Sequence, residues 1–331
     1  MRTIVVGAGV MGTNHARTAA ANRDVELVGV VDADLERAST LAAAYGGAAF
    51  RDIADVEVPY EAAIIATPTP THRDVALPLL RRGVHVLLEK PIAPTVDSAR
   101  ELLDAARQRG VVLMVGLVER CSPVVLSLPP FLDDLVHIEA FRIGPFTSRV
   151  PDSVVLDLMI HDIDIAIGCA GPVRGVSAIS RSTRSASEDL VSCLLTFESG
   201  VTASITASRI GQNKVRELRL TRTDAVVNAD LLRGVIEITR VAHTEFLAEQ
   251  GRRYRQSGVV EIPFIDNQGE PLAVQLRRFV AAVEHGEVAG VSERSCGIDA
   301  LEVALQIIAT CRTADGGSHA SLGPQSLALS R

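Results

Sequence analysis

Residues 3–12 read Thr-Ile-Val-Val-Gly-Ala-Gly-Val-Met-Gly, and this stretch decides the fold. The β-branched run Thr3–Val6 is typical of a buried strand, and the glycines after it have the spacing G-x-G-x-x-G. The amphipathic pattern of Val10–Ala21 predicts a helix that begins inside the glycine motif. A glycine triplet is weak by itself, but this one lies between a strand and a helix. Its position predicts the first strand–turn–helix of a phosphate-binding α/β unit.

Short apolar runs continue to alternate with amphipathic stretches as far as residue 117. Predicted strands cover Thr3–Val6, Glu26–Val31, Ala62–Ala66, Val84–Leu88 and Val111–Val115, and predicted helices cover Val10–Ala21, Leu35–Ala44, His72–Arg82 and Val96–Gln108. Strands that are apolar on both faces and alternate with helices indicate a parallel sheet covered on both sides. Residues 1–118 are therefore predicted to form a doubly wound domain of the Rossmann type.

The glycine motif also predicts a dinucleotide site. Gly7 permits the tight turn, Gly9 lets the backbone approach a pyrophosphate, and Gly12 allows close packing of helix against strand. The amides near Val10 and Met11 are expected to face the diphosphate, because a helix N-terminus favours anions.

Asp32 follows the second predicted strand, twenty positions after Gly12. An acidic residue at this place accepts hydrogen bonds from the adenosine ribose hydroxyls, whereas a 2′-phosphate would be repelled by the carboxylate. We therefore predict NAD in preference to NADP, although Arg37, in the following helix, keeps NADP open. The alternative, a glycine turn with an unrelated surface aspartate, fits the combined context less well.

Residues 119–331 show a different pattern, which predicts an α+β domain with an open, mainly antiparallel sheet. A connector with three prolines, Glu119–Pro130, precedes a predicted helix at Ser153–Cys169. Predicted strands cover Val173–Ser180, Leu190–Phe197, Thr202–Ser208, Arg216–Thr221 and Val235–Thr239. Two late helices, Leu272–Glu284 and Ile298–Thr310, are expected to pack back on the rest of the chain. From Thr313 onward the small, polar residues predict partial disorder.

The bulk composition excludes several classes of protein. A formal net charge of -7 and a pI of about 5.7 offer no basic surface for nucleic acid or an anionic membrane. No signal peptide and no membrane span are predicted. The five cysteines are scattered without a C-x-x-C pair, which predicts reduced thiols rather than disulfides or a zinc site. These features together predict a cytoplasmic protein.

Glu89-Lys90-Pro91 closes the predicted strand Val84–Leu88, at the edge of the sheet where α/β proteins bind ligands. Only Lys90 and Lys214 are lysines among the 33 basic residues. A lysine can lose its proton when it is desolvated, whereas an arginine stays charged. Lys90 is therefore a candidate for chemistry, with an ordinary charge pair at a strand end as the alternative.

Several motifs together resemble the glucose–fructose oxidoreductase, inositol dehydrogenase and MocA family over essentially the whole chain. They are the glycine motif, Ala-Thr-Pro-Thr-Pro-Thr-His at 66–72, Glu89-Lys90-Pro91, and Asp157-x-x-x-His161. Within the family, the segments 118–123, 157–164 and 215–218 resemble the branch of UDP-N-acetylglucosamine 3-dehydrogenases.

The resemblance implies the function and the site. The nicotinamide is expected near Thr67, Pro68, His72, Glu89 and Lys90, and the substrate is expected to be a sugar or a nucleotide-sugar. Residues 119–331 would bind this substrate and form a homodimer or homotetramer through their sheet. A regulator that senses NAD without catalysis and an NAD-dependent glycosidase are the alternative functions.

Asp157 and His161 lie four residues apart, so a regular helix would place them on one stripe with Asp164. An ion pair is one interpretation, and a metal site of His161, Asp162 and Asp164 is a second. With the resemblance we prefer a third interpretation, in which Lys90, Asp157 and His161 are catalytic and contact the substrate. His161 would be the acid/base assisted by Lys90, and Asp157 would orient His161 or hold a neighbouring hydroxyl.

The remaining candidates are arginines. Arg120 is predicted to contact the substrate or a neighbouring loop. Arg142, Arg149 and Arg209 could bind a phosphate-bearing substrate, although a structural role is the simpler prediction for each. Arg252-Arg253-Tyr254-Arg255 is predicted to be a solvated or interfacial loop.

Overall fold

The structure, a computed structural model, describes residues 1–146, 153–241, 244–247, 253–256, 258–286 and 296–316. Side chains are described in these ranges except at 244–247, 253–256 and 313–316. The described residues form an α/β structure with a six-stranded, an eight-stranded and a two-stranded sheet.

All strands of the six-stranded sheet run parallel. They are β1 (Arg2–Val6), β2 (Glu26–Val31), β3 (Ala48–Phe50), β4 (Ala62–Ile65), β5 (His85–Leu88) and β6 (Leu113–Val115). Their order, β3-β2-β1-β4-β5-β6, is that of a doubly wound dinucleotide-binding sheet. The five predicted strands are confirmed with ends within two residues. The short strand β3 is an addition that its three residues did not signal.

Helices cover both faces of this sheet, as predicted. They are α1 (Val10–Ala21), α2 (Leu35–Tyr45), α3 (His72–Arg81) and α4 (Val96–Arg109). Local signals set their ends: the Asp34 carboxylate accepts hydrogen bonds from the first turn of α2, and the Thr95 hydroxyl does so for α4. Gly110 ends α4 in the left-handed conformation.

The eight-stranded sheet is antiparallel except for the pair β7–β10, so the predicted mainly antiparallel sheet is confirmed. Its strands are β7 (Leu135–Ile143), β8 (Val173–Arg181), β9 (Leu190–Phe197), β10 (Thr202–Ser208), β11 (Val215–Arg222), β12 (Val226–Asp230), β13 (Val235–Arg240) and β16 (Val259–Glu261). The strands β14 (Thr244–Leu247) and β15 (Arg253–Gln256), which precede β16 in the chain, form the two-stranded sheet. The order is β16-β13-β12-β11-β7-β10-β9-β8. The sequence patterns missed β7, which is a central strand.

The helical segment predicted at Ser153–Cys169 is not a single regular helix. After the short helix α5 (Pro123–Leu126), the chain forms a π-helical turn at Val155–Met159 and then α6 (Ile160–Ala170). The π turn contains Asp157 and ends two residues before His161. It lies directly before the predicted catalytic histidine, which is typical of functional sites.

Two late helices, α7 (Pro271–Glu284) and α8 (Ile298–Gly316), pack back on the rest of the chain, as predicted. Phe279 and Val280 of α7 are buried with residues of the six-stranded sheet and α1. Ile298 of α8 is buried in a core on the other side of that sheet, and Ile307, further along α8, is buried against the eight-stranded sheet. One helix thus contributes to two cores. The predicted division at residue 118 lies between the sheets and stays a prediction.

Two further predictions need correction. Arg253–Gln256 form the strand β15, paired with β14, rather than a loop, and Arg252 lies outside the described residues. Helix α8 extends six residues beyond its predicted end at Thr310, to Gly316. The partial disorder predicted from Thr313 onward falls mostly on residues 317–331, which lie outside the described part. All five cysteines are free, and four are buried. No helix in the described ranges is long and apolar enough to cross a membrane.

Candidate active site

The glycine motif has the geometry that a pyrophosphate requires. Gly7 has φ +97°, and a Cβ there would lie 2.6 Å from the Ala66 carbonyl oxygen. A Cβ on Gly12 would overlap the Gly7 carbonyl. Around Gly9, in contrast, a Cβ would meet no atom within 4 Å. Helix α1 begins at Val10 without a side-chain cap, so its first amides remain available to an anion.

Asp32 lies beside this loop at the carboxyl end of β2. Its Oδ2 accepts a hydrogen bond from the Ala8 amide at 2.7 Å, and its Oδ1 accepts one from the Asp34 amide at 2.9 Å. The carboxylate therefore braces the glycine turn and still lines a cleft of about 720 Å³. The same cleft is lined by Gly9, Met11, Thr67 and Pro68, so residues predicted to contact the cofactor surround one space.

Two arginines lie at the Asp32 side of the cleft. Arg37 is two-thirds exposed, and its Nε lies 3.4 Å from Oδ2 of Asp34. Arg51, which the sequence patterns did not single out, also lines the cleft. It follows the unpredicted strand β3, and this explains why its position was missed.

His72 is buried between two loops, and no part of it lines the cleft. Its Nδ1 lies 2.9 Å from the Pro91 carbonyl oxygen, and its Nε2 lies 2.9 Å from the Thr67 carbonyl oxygen. Burial lowers the pKa of His72. The ring joins the Thr67 loop to the turn after Lys90, where the peptide bond to Pro91 is cis. This geometry is that of a positioning residue rather than a direct cofactor ligand.

Glu89 is also buried and is held by two groups. Nε2 of His15, in α1, lies 2.7 Å from Oε1 of Glu89, and Oε2 accepts a hydrogen bond from the Lys90 amide at 3.2 Å. A Cβ on Gly116 would lie 3.0 Å from Oε2, so the carboxylate is closely enclosed. His15 was not predicted. Its only signal was a histidine three residues after Gly12, on the buried face of α1.

Lys90 joins the two halves of the site. Its Nζ donates a hydrogen bond to the Asp157 carbonyl oxygen at 2.6 Å and lies 3.4 Å from the Leu156 carbonyl oxygen. Oδ1 of Asp157 is 3.6 Å away. Both carbonyls belong to the π-helical turn. Burial lowers the pKa of Lys90, and the charge of Asp157 opposes this effect.

His161 is buried in the first turn of α6, and its pKa lies well below the usual value. Burial is the largest cause, and the charges of Lys90 and Arg142 add to it. Its Nδ1 has no hydrogen-bond partner among the described residues. Asp157 therefore does not orient His161 as predicted. Its carboxylate lies beside Lys90 instead, with Oδ1 3.6 Å from the amino nitrogen.

A buried ionic network lies behind His161. Arg142 is 2 % exposed, and its Nε and NH2 donate to both Asp162 oxygens at 2.7 and 2.8 Å. Its NH1 donates to Oε1 of Glu119 at 2.7 Å, and the same oxygen accepts from NH1 of Arg216 at 2.9 Å. Burial alone would lower the pKa of Arg142, but Asp162 and Glu119 raise it. Arg142 thus has the structural role predicted as the simpler one.

The other arginines are also engaged. Arg120 donates from Nε and NH2 to both oxygens of Asp164 at 2.7 and 2.6 Å, so its predicted substrate contact competes with an ion pair. Arg209 donates to the buried Asp189 at 2.9 Å, which is a structural role. Arg149 lies outside the described residues. In the part of the chain that the structure describes, no group of three or more His, Cys, Asp or Glu residues could hold a metal ion.

Comparisons with known proteins identify relatives of both parts of the chain. The protein-family model described as "Oxidoreductase family, NAD-binding Rossmann fold" matches residues 1–117. The family model of the GFO/IDH/MocA C-terminal domain matches residues 145–227. UDP-N-acetylglucosamine 3-dehydrogenase from Acidithiobacillus ferrooxidans is 34% identical over 242 residues, which are 72% of this chain and 76% of that protein. Inositol 2-dehydrogenase from Rhizobium meliloti is 32% identical over 225 residues, 62% of this chain and 68% of the relative. A solved structure of the former enzyme, GnnA, aligns with a TM-score of 0.83 and 28% identity over 95% of this chain and 98% of that one.

Proposed function

Because the chain belongs to the glucose–fructose oxidoreductase, inositol dehydrogenase and MocA family, we propose that it transfers a hydride reversibly between NAD and a secondary alcohol carbon of a sugar or nucleotide-sugar. The observation that carries the proposal is the hydrogen bond from Lys90 to the Asp157 carbonyl, in the π turn that leads into His161. This hydrogen bond joins the six-stranded sheet, at the carboxyl end of β5, to the second half of the chain.

The cleft residues fit the cofactor. Gly9 leaves space for close backbone approach, the first turn of α1 is uncapped, and Asp32 is fixed at the cleft wall. NAD bound there would supply the hydride acceptor. We assign Gly7, Gly9, Val10, Met11 and Gly12 to the pyrophosphate turn. Thr67 and Pro68 would line the nicotinamide end, with His72 and Glu89 positioning the loops around it.

The two titratable groups take different parts of the proton chemistry. The low pKa of His161 keeps the ring neutral at pH 7, so it can accept the hydroxyl proton during oxidation. Lys90 donates hydrogen bonds to the turn carbonyls and has a further N–H for the substrate oxygen. Asp157 keeps the Lys90 amino group in place from 3.6 Å. Its exposed part can accept a hydrogen bond from a neighbouring hydroxyl.

We propose NAD rather than NADP. A 2′-phosphate would approach the Asp32 carboxylate, whose repulsion Arg37 offsets little while it is paired with Asp34. Measured Kd values for NADH and NADPH test this assignment. Tighter binding of NADPH would contradict it and would point to Arg37 and Arg51 as the phosphate ligands.

The proposed activity is tested with free and nucleotide-activated sugars, by following NADH formation and assigning the oxidised carbon by NMR. We expect a regiospecific ketosugar and equimolar NADH. Tight NAD binding without turnover on any sugar would favour the sensing regulator. Glycoside cleavage without net NADH would favour the NAD-dependent glycosidase.

We also propose that the chain forms a homodimer or homotetramer through the open face of the eight-stranded sheet. Apolar side chains are exposed on this face, including Phe141, Ile179 and Leu194. Exposed apolar surface of this kind is typical of protein interfaces. Light scattering of the purified protein tests the proposal, and a monomer at micromolar concentration would contradict it. The cytoplasmic location stays a prediction.

A further inference from the structure

Arg216 lies on β11 and faces the site rather than the open face of the sheet. Leu218 and Leu220, which follow it at intervals of two, are buried in the core against α6 and α8. Side chains two residues apart share one face of a strand. The β11–β7 register also pairs Arg216 directly with Arg142, whose side chain is buried beside Asp162. The two arginines therefore form a row at the edge of the core.

The two arginines differ in how their donors are used. Arg142 is 2 % exposed and donates to two carboxylates. Arg216 is 39 % exposed and, within the described ranges, contacts only the Glu119 oxygen that it shares with Arg142. Arg142 thus pairs with Asp162 as well as with Glu119, whereas Arg216 pairs in the described residues with Glu119 alone. Most donors of Arg216 remain available.

The exposed guanidinium is on the reacting side of the molecule. The Glu119 oxygen that it contacts also binds Arg142, and Arg142 holds Asp162, which follows His161 directly in the chain. Arg219, three residues later on the same strand, points to the opposite face and contacts Glu139 there. On β11, Arg216 therefore lies on the face of the site and Arg219 on the open face of the sheet.

Resting on the proposed function, we propose that Arg216 anchors an anionic group of the sugar substrate, a phosphate or a carboxylate. The planar guanidinium fork matches both groups and can form two parallel hydrogen bonds with either. The anion would take the donors that Glu119 leaves free, and Glu119 would keep the guanidinium oriented. The preferred substrate is accordingly an anionic sugar rather than a neutral one.

The test compares Arg216→Gln and Arg216→Lys with Arg219→Gln as the matched control. The probes are two pairs: N-acetylglucosamine with UDP-N-acetylglucosamine, and glucose with glucuronate. For the anionic sugar that is oxidised, Arg216→Gln should raise KM about 10- to 100-fold, the usual range for a lost charged hydrogen bond. The KM of Arg216→Lys for the same sugar should lie between those of wild type and Arg216→Gln, because lysine keeps the positive charge but cannot form two parallel hydrogen bonds. The NADH Kd and the neutral-sugar KM should stay within twofold, and the control should match wild type.

The two pairs distinguish phosphate from carboxylate, since the first adds a uridine diphosphate and the second replaces a hydroxymethyl group with a carboxylate. Preference for neutral sugars, or equal anionic-sugar KM values in wild type and Arg216→Gln, would overturn the proposal and leave the proposed function intact. If no sugar is oxidised, the proposed function fails. In that case, the affinities of the NAD complex for UDP-N-acetylglucosamine and glucuronate, measured by calorimetry, test the role of Arg216 separately. Loss of binding in Arg216→Gln, with an unchanged melting temperature, would support the anchor, and wild-type affinity would overturn it.

Discussion

At the scale of single residues, Lys90 carries the most specific expectation. Its amino group joins the cofactor sheet to the π turn, so its loss would remove the proposed substrate contact without touching the glycine loop. Replacing Lys90 with Met should leave the NADH Kd within about threefold and lower kcat by about 10²- to 10⁴-fold. The same replacement at Lys214, the other lysine, is the control. Unchanged turnover in Lys90→Met would exclude the assignment.

His161 predicts the pH dependence of oxidation. A protonated imidazole cannot accept the hydroxyl proton, and the pKa of His161 lies well below 6.5. The rate of oxidation should therefore stay on its plateau at pH 6.5 and decline only at more acidic pH. A pH profile of kcat/KM for the oxidised sugar measures this limb, and His161→Asn should lose the activity. An acid limb centred at or above pH 6.5 would exclude His161 as the base.

The residue scale also shows what the sequence could predict. Lys90 was identified from a strand end and from the rarity of lysine, which are local signals. The roles of Asp157, His15 and Arg216 depend on contacts between distant segments, so spacing alone could not reveal them. Asp157 is instructive, because its four-residue spacing from His161 predicted a contact with that histidine, whereas its carboxylate lies beside Lys90.

At the scale of elements, the glycine turn permits a matched test. A methyl group at Gly9 would meet no atom, whereas one at Gly12 would overlap the Gly7 carbonyl. Gly9→Ala should leave the melting temperature unchanged and weaken NADH binding about tenfold, because the methyl group occupies the pyrophosphate approach. Gly12→Ala should also destabilise the fold by about 1–3 kcal/mol. Equal effects of both variants on stability would contradict this division of roles.

Asp189 organises the loop between β8 and β9. Its buried carboxylate accepts hydrogen bonds from the Thr183 and Arg184 amides at 2.7 and 2.6 Å and pairs with Arg209. Asp189→Ala would remove the carboxylate that pairs with the buried Arg209 and accepts the loop amides, at a cost of about 3–5 kcal/mol in urea unfolding. The exposed Asp224, replaced in the same way, should change stability little.

The same carboxylate gives a pH dependence of stability. Burial opposes the charge, but the backbone hydrogen bonds from the loop hold the pKa of Asp189 well below the ordinary value of 3.8. Its stabilisation is therefore complete above about pH 4 and is lost as the pH falls toward the lower, folded-state pKa. Between these pH values, the stability difference between wild type and Asp189→Asn should shrink on acidification. A constant difference would exclude this linkage.

The strand β7 explains why the second sheet was harder to predict than the first. Strands of the first sheet are buried on both faces and read as continuous apolar runs. In β7, the core face carries Ile138, Ala140 and the charged Arg142, while Phe141 lies on the open face. The alternation of apolar and polar residues is broken at Arg142. This arginine can be buried only because it pairs with Asp162 and Glu119, which lie elsewhere in the sequence.

At the scale of the whole molecule, α7 packs on the first sheet and α8 lies in cores of both sheets, so we expect the two sheets to unfold together. Phe279 of α7 is fully buried among residues of the first sheet, although 160 residues or more separate it from them. Phe279→Ala should lower the free energy of unfolding by about 3–5 kcal/mol through the cavity it leaves. Because α8 lies in cores of both sheets, the loss should shift a single calorimetric transition rather than one of two.

Fragment 1–118 provides the complementary measurement. Without α7 the fragment exposes the surface that Leu276 and Phe279 cover, and without α8 it loses the contact of Ile298. We expect the fragment to aggregate or to bind NADH at least tenfold more weakly than the full chain, since an uncovered apolar face destabilises the sheet. A fragment that melts cooperatively and binds NADH with full-chain affinity would show that the first sheet folds independently. In that case the late helices would only dock on a finished domain, and two calorimetric transitions would be expected for the full chain.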